Sequence, residues 1–377
     1  MRVLIACGGT GGHINPGLAI ADMIKAKYPD AEILFAGTPN HMEAKLVPKA
    51  GYKLETIKVE GFQRRISLEN VGRNAKAAAY LMTSGRRAKE IIRNFKPDIA
   101  IGTGGYAAGP VIRKAAKMGI PTAIHEQNAY PGVTNKLLSK EVDYVMLTVI
   151  EALDYMDKSK FEYSVTGLPV RSNIKDNISK AEARKKLGIN DDFTILSFGG
   201  SLGAGCINET MAEVIKWHTG KKLNINHIHG YGGMGKETFP KAMKAAGIPL
   251  KSDRLRITEY INDMDVCLAA ADIVVCRSGA STLAELEAAG RASILIPSPI
   301  VAGNHQYHNA MVLGKAGAAI VIEQKDVTNE NMITEIEMLY NAPGRAEEMS
   351  ANAKKLCVTD TNERIMAVVE KLLAKKK

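Results

Sequence analysis

The chain of 377 residues has no apolar run approaching ~18 residues, which excludes a helix spanning a bilayer. Its first apolar run, Val3-Leu-Ile-Ala-Cys7, is too short for a secretory leader and reads as a first strand. Cysteine is sparse. The five (7, 206, 267, 276 and 357) are odd in number, show no C-x-x-C spacing and fit a reducing cytoplasm better than a disulfide framework. No G-x-x-x-x-G-K-[ST] occurs, so the chain is no P-loop ATPase. The dinucleotide fingerprint G-x-G-x-x-G is broken as well: Gly9 and Gly11 are followed by Ile14, not glycine. The second strand ends in Gly37-Thr38, with no acidic residue to take a ribose diol, which argues further against NAD. No helix-turn-helix, zinc-finger or RNA-binding aromatic motif appears, so no nucleic-acid partner is expected.

What is present is a repeated strand, turn and helix. After the strand at 3–7, Gly8-Gly9-Thr10-Gly11-Gly12-His13 bends so tightly that glycine is needed. Pro16 fits a first helical position, and Leu18, Ile20, Met23 and Ile24 give the helix an apolar face. Further strands are expected at 32–36, 97–102, 121–124, 143–147 and 163–166. Gly167-Leu-Pro-Val-Arg171 reads as the exit to a second domain. The pattern then restarts: a strand at 193–198, a turn from Gly199 to Gly205, a helix at 207–217 and strands near 223–229, 255–257, 273–276, 292–296 and 318–322. Helices fill most of 328–373. The expected fold is α/β, with two Rossmann-like, doubly wound parallel-sheet domains over residues 1–168 and 169–353. A C-terminal helix at about 354–377 is expected to pack back on the first.

The stretch Cys276-Arg-Ser-Gly-Ala-Ser-Thr-Leu-Ala-Glu285 carries the clearest chemistry. An apolar strand precedes it, strong helix formers follow, and small residues lie between. Bare amides and a helix dipole aimed at one spot make an anion site. Glu285, one turn into the helix, would repel a phosphate in contact but accept hydrogen bonds from a neutral diol. An ordinary βα turn with an exposed Glu would read the same way. His125-Glu-Gln-Asn128 is a polar quartet at a strand's carboxyl end, where ligands bind in open α/β sheets. His13 lies at a helix N-terminus, which favours a neutral imidazole; a general base and a structural cap both suit it. Arg171 and Arg277 are the cations best placed for a diphosphate, or are plain surface ion pairs. Asp263-Met-Asp265 resembles a metal-holding D-x-D but reads better as a helix start, and His227 with His229 lacks a third ligand for zinc. No metal site is expected.

The formal net charge is +10, and most of the excess is local. Between 58 and 96, ten Lys or Arg (58, 64, 65, 73, 76, 86, 87, 89, 93, 96) stand against three Glu (60, 69, 90), with Phe62, Ile66, Leu68, Tyr80, Leu81 and Met82 interleaved. A basic, apolar surface suits an anionic membrane face, each cation contributing roughly 1 kcal/mol there. A solvated helix face is the plainer alternative.

With these residues in view, the chain resembles the MurG family of bacterial peptidoglycan N-acetylglucosamine transferases over nearly its whole length. The segments that carry the resemblance are GGTGGHINP (8–16), GTGGYAAGP (102–110), HEQNAYPG (125–132), VTGLPVR (165–171), FGGSLGA (198–204), the Glu259–Met264 run, CRSGASTLAE (276–285) and NHQYHNA (304–310). The resemblance implies the GT-B fold, two Rossmann-like domains facing across a cleft. It implies inverting transfer of GlcNAc from UDP-GlcNAc to the muramyl sugar of an undecaprenyl-linked pentapeptide. A UDP-GlcNAc 2-epimerase or another lipid-acceptor transferase of the same fold is the alternative. By carry-over, Ile261 presents its backbone to uracil, Ser278, Gly279, Ala280, Ser281 and Thr282 hold phosphate, with Leu283 and Ala284 continuing that segment, and Glu285 takes the ribose. Ser201 and Arg171 lie beside the phosphates, and Gln306 and Asn128 touch the donor sugar. Thr10, Gly11 and Gly12 approach sugar and diphosphate from the first domain. His13 is the candidate base, and Glu126, counted with it as catalytic, shapes the acceptor pocket. UDP-GlcNAc is a substrate, no cofactor is required, and divalent-metal stimulation is left open. The resemblance also implies a peripheral enzyme on the cytoplasmic side of the cell membrane, with other cell-wall synthesis proteins as further partners. The chain departs from the usual family residues at Leu202, Gly205 and His305, where Gln, Arg and Gln are common.

Overall fold

The computed structural model describes residues 1–59, 68–170, 174 and 178–375, and the side chains of these except 68–79, 81 and 82. The chain divides into two compact units, Met1–Pro169 with Val358–Lys377, and Val170–Cys357.

The first unit holds seven strands: β1 (Arg2–Cys7), β2 (Glu32–Gly37), β3 (Lys53–Thr56), β4 (Ile99–Gly104), β5 (Thr122–Glu126), β6 (Tyr144–Leu147) and β7 (Glu162–Val165). They pair in the order β3-β2-β1-β4-β5-β6-β7, every pair parallel. The second unit holds β8 (Phe193–Phe198), β9 (Ile225–Gly230), β10 (Leu255–Thr258), β11 (Ile273–Cys276), β12 (Ala292–Leu295) and β13 (Ala319–Val321), paired β10-β9-β8-β11-β12-β13 and again parallel. The repeat seen in the sequence therefore extends to the whole sheet. Each sheet reverses its winding beside its first strand, between β1 and β4 and between β8 and β11, and such a switch point opens a crevice at the carboxyl ends.

Continuous apolar strands produce this burial because helices cover both faces of a parallel sheet. Along β1, Leu4 and Ala6 pack with Ile112 and Ile92 on one face, while Val3, Ile5 and Cys7 pack with Ile20 and Ile24 on the other. The helix Thr361–Lys375 returns to that second face and buries Ile365, Met366, Val368, Val369 and Leu372. In the second unit Leu196, Val274 and Cys276 face one cluster, and Ile195, Ile273 and Val275 the other.

Three details differ from the sequence expectation. The first helix starts at Gly11, not at Pro16, which lies inside it, buried, past the first turn where a missing N–H costs nothing. β3 has no counterpart in that expectation: Lys53-Leu-Glu-Thr56 lies at the sheet's edge, half exposed, and lacks the apolar run of a central strand. β4 runs two residues further than expected, to Gly104, because its register with β1 shifts between Ala6 and Cys7 and sets Cys7 opposite Gly104.

Candidate functional site

At the carboxyl end of β1, Gly9 adopts φ +89°, the left-handed region open to glycine. Its N–H donates to Glu43 Oε2 at 3.0 Å, and Glu43 Oε1 accepts from the Thr38 amide at 2.9 Å. Glu43 is fully buried. Burial would raise its pKa, but the hydrogen bonds from Thr38 and Gly9 outweigh it and hold the carboxyl below its ordinary value. An internal carboxylate thus occupies one anion-binding amide of this turn. The sequence offers no sign of it, since 34 residues separate Gly9 from Glu43.

The helix Gly11–Lys27 starts beyond this turn, with Thr10 at its N-cap and no side chain bonded there. Gly12 and Thr10 are exposed. His13 is half-buried, its carbonyl accepts from Thr103 Oγ1 at 2.7 Å, and its Nδ1 lies 3.0 Å from Gln127 Oε1. Gly104, at φ +105°, presses its backbone against the ring: a Cβ there would lie 2.6 Å from Nδ1.

The quartet His125–Asn128 is not the exposed loop that its polarity suggests. His125 and Glu126 end β5, and with Gln127 they are nearly inaccessible, while Asn128 is partly exposed. The Glu126 carboxylate accepts four hydrogen bonds, from the amide and side chain of Asn128, the Gly132 amide and the Asn135 side chain. Its work is to hold the loop 127–132. Burial pushes the His125 pKa down to about 4, so the imidazole is neutral.

In the second unit, the turn after β8 needs Gly203, where φ is +83° and a Cβ would meet the Tyr231 carbonyl at 2.2 Å. Ser201 and Leu202 are exposed on this turn. Ile261 buries its side chain in the core against Gly230. The preceding loop is fastened by Arg256, which grips both oxygens of Asp263 at 2.8 and 2.7 Å and holds that carboxyl below its ordinary value. Asp263 is thereby committed to an ion pair, and the described residues contain no group of three His, Cys, Asp or Glu able to hold a metal ion.

After β11, Gly279 caps the helix Ala280–Ala289 with extended backbone and no side-chain bond. Residues 279–282 are partly accessible, whereas Ser278, Leu283 and Ala284 are buried. The Leu283 N–H is used on the Gly279 carbonyl at 3.0 Å, so the turn presents its amides ahead of Leu283. Ser278 donates its hydroxyl to the Gln306 carbonyl at 2.7 Å, and the Asn309 side chain donates to the Ser278 carbonyl at 3.2 Å. These bonds fasten the helix His305–Lys315 to the turn. Gln306 Oε1 accepts from the Ser298 amide at 2.9 Å, which fixes the side-chain amide's orientation. Glu285 is half-buried near the end of β11; burial first, and then its carboxylate, push the Cys276 thiol up. Arg277 is neither a surface ion pair nor a free cation. Its guanidinium donates to the Ile296 and Pro297 carbonyls and to Gln324 Oε1, tying β11 to β12 and to the segment beyond β13. Arg171 lies outside the described residues, as do 60–67 of the cationic stretch.

Comparison with known proteins agrees with this arrangement. The sequence models of the glycosyltransferase family 28 N-terminal and C-terminal domains match residues 3–147 and 194–365. A relative from Acetivibrio thermocellus, the UDP-N-acetylglucosamine–N-acetylmuramyl-(pentapeptide) pyrophosphoryl-undecaprenol N-acetylglucosamine transferase, is 46% identical over 100% of this chain and 99% of its own length. The chain belongs to the MurG family. The crystal structure of Acinetobacter baumannii MurG superposes with a TM-score of 0.79 at 25% identity, covering 98% of this chain and 99% of that one. The two-unit GT-B fold is therefore shared. A UDP-GlcNAc 2-epimerase from Neisseria meningitidis matches with a TM-score of 0.63 at 12% identity over 98% of this chain and all of its own, which shows the fold alone.

Within this MurG-family chain, the residues expected from sequence fall on two groups of loops. Thr10, Gly11, Gly12, His13, Glu126 and Asn128 lie at the carboxyl ends of β1 and β5. Ser201, Ile261, Ser278–Glu285 and Gln306 lie beyond β8, β10, β11 and β12. Sequence reasoning passes over Glu43 and gives Gln127 no role, although Gln127 stands inside a quoted motif.

Proposed function

We propose that the protein is an inverting glycosyltransferase that moves GlcNAc from UDP-GlcNAc to the muramyl sugar of an undecaprenyl-pyrophosphoryl-linked pentapeptide. The observation that carries this reading is 46% identity, end to end, with a transferase of that name. The geometry gives it a physical route. The muramyl hydroxyl attacks the anomeric carbon, its proton passes to a base, and the bond to the nucleotide's phosphate oxygen breaks with inversion. Charge grows on the departing diphosphate, so amides fixed in advance lower the barrier.

We assign that task to the uncapped start of the helix Ala280–Ala289, and by family resemblance Ser201 and Arg171 are assigned to the phosphates with it. Glu285 takes the ribose hydroxyls, the Ile261 backbone takes uracil, and the held amide of Gln306 addresses the sugar. The first unit takes the acceptor, with His13 as the base, Asn128 near the donor sugar and Glu126 holding the loop that carries Asn128. The membrane reading rests on the cationic stretch. Within its described part, the helix ending at Phe95 buries Ala88, Ile91 and Ile92 and exposes Arg86, Lys89 and Arg93, while Arg87 pairs with Glu55 and Glu90. No helix among the described residues is long and apolar enough to cross a membrane. We infer a peripheral enzyme on an anionic cytoplasmic leaflet.

The test supplies UDP-GlcNAc with a short-chain lipid-linked muramyl pentapeptide. Disaccharide product is expected. Isomerised sugar nucleotide formed without acceptor would establish the epimerase instead.

A further inference from the structure

We propose that Gln127 is a positioning residue that keeps the proton of the His13 ring on Nδ1 and so leaves Nε2 bare to receive the acceptor's proton. The inference rests on the reading of His13 as the base.

A chain of hydrogen bonds with only one consistent direction carries it. The Gly167 carbonyl can only accept, and His125 Nε2 lies 3.0 Å from it, so His125 carries its proton on Nε2 and leaves Nδ1 as an acceptor. The Gln127 side-chain nitrogen lies 2.8 Å from the His125 carbonyl and 3.2 Å from His125 Nδ1. Both are acceptors, so both amide hydrogens are spent on them and the amide cannot be flipped. Gln127 Oε1 must then face His13 Nδ1, 3.0 Å away, as an acceptor. Only the Nδ1–H form of His13 satisfies that contact. The opposite tautomer would set two lone pairs against each other.

The surroundings leave this arrangement no escape. His125 is completely buried and Gln127 nearly so, and burial keeps the His125 imidazole neutral, so its proton does not wander. The Gly104 backbone covers the Nδ1 edge of His13, and the Thr103 hydroxyl holds its carbonyl. No partner for His13 Nε2 appears among the described residues, so that nitrogen is the one left for substrate. An unsatisfied buried polar group is costly enough to bias the two tautomers by about ten- to a hundredfold. Histidine's second nitrogen decides what the first can do, and here a buried glutamine sets it in place of a carboxylate. A neutral partner orients the ring without adding charge beside a phosphorylated substrate.

The direct test is nitrogen NMR of the full chain labelled with [15N]histidine, at a pH above the ordinary histidine range. The His13 signals are identified by their loss in His13→Gln. A protonated Nδ1 and a bare Nε2 are expected; the reverse, or an even mixture, overturns the proposal. This readout does not depend on turnover, so it stands apart from the transferase assignment. The kinetic test pairs Gln127→Leu with Gln127→Glu. Leu removes the acceptor and is expected to lower kcat about a hundredfold with the donor KM unchanged, and to restore the tautomer mixture. Glu keeps an oxygen toward Nδ1 and is expected to recover most of the turnover. Both variants lose the donor to the His125 carbonyl. A merely structural role for Gln127 would therefore impair both alike, and that result, or a fully active Leu variant, refutes the positioning role.

Discussion

Replacing Glu126 by Gln asks whether one carboxylate holds the loop that carries Asn128. Glu126 is 1% exposed. One of its oxygens accepts from Asn128 N at 2.9 Å and Asn128 Nδ2 at 3.1 Å; the other accepts from Gly132 N at 3.1 Å and Asn135 Nδ2 at 2.9 Å. An amide cannot accept on both sides. Whichever way the substituted amide turned, its NH2 would face two donors, and two hydrogen bonds to a charged acceptor would be lost. At about 1.5–3 kcal/mol each, the loss is about 3–6 kcal/mol. Local opening of the loop should become at least about a hundredfold more frequent. Hydrogen exchange on peptides covering 127–133 reads this directly, because the Asn128 and Gly132 amides are the groups released. The acceptor KM should rise more than the donor KM, since of the residues assigned to the donor only Asn128 lies on this loop and Glu285, Ile261 and Gln306 belong to the second unit. Exchange at wild-type rates in this loop would refute the reasoning.

Glu285→Ala should weaken UDP binding about a hundredfold, two charge-assisted hydrogen bonds at about 1.5 kcal/mol each, with kcat little changed; unaltered UDP affinity in calorimetry would remove Glu285 from the ribose. Gly104→Ala places a Cβ 2.6 Å from His13 Nδ1 at φ +105°, so kcat should fall by about a hundredfold or more with donor affinity intact. Acid should destabilise the second unit first. Its buried His218 and His229 have pKa values pushed down to about 4 and about 3, and His227 lies well below its ordinary 6.5, all chiefly by burial, whereas the first unit has one such group, His125. The unfolded chain binds these protons below pH 6.5 and the folded chain does not, so stability is full above 6.5, declines as pH falls below it and levels off only near the folded values. A urea midpoint for the second unit that is constant between about pH 7 and pH 5 would contradict this.

Those three histidines also mark where sequence reading stops. His227 and His229 alternate on one strand, and the sequence can dismiss zinc but not say what they do. In the fold Ser197 Oγ lies 2.8 Å from a nitrogen of each, and His218 reaches His227 at 3.2 Å. The partners come from another strand and from a helix, so no local pattern announces them. The strands themselves are legible because a parallel sheet buried on both faces demands continuous apolar runs, and Val3–Cys7 and Ile273–Cys276 are such runs. β3 is not, because an edge strand with one partner needs no such run.

The two switch points show the same limit in the site. In sequence both are small-residue turns leading into helices; the turn before Glu285 reads as an anion site, and the turn at 8–13 is brought to the diphosphate by the family resemblance. In the first unit, however, the Gly9 amide already binds the buried Glu43 carboxylate, an anion supplied by the chain itself. A diphosphate brought to that amide would meet a fixed negative charge. In the second unit the helix Ala280–Ala289, like Gly11–Lys27, begins with no side-chain cap, and residues 279–282 are accessible. Two similar βα turns are thus made unequal by one distant side chain. That inequality supports assigning the nucleotide to the second unit and leaving the first, with its oriented imidazole, to the hydroxyl that attacks. Glu43→Gln offers the check: it removes the charge while keeping an oxygen for Gly9, and UDP binding to the whole chain should still require Glu285. A second nucleotide site opening in the first unit would confirm that Glu43 keeps that turn closed, and its absence, with the turn otherwise intact, would leave the inequality to some other cause.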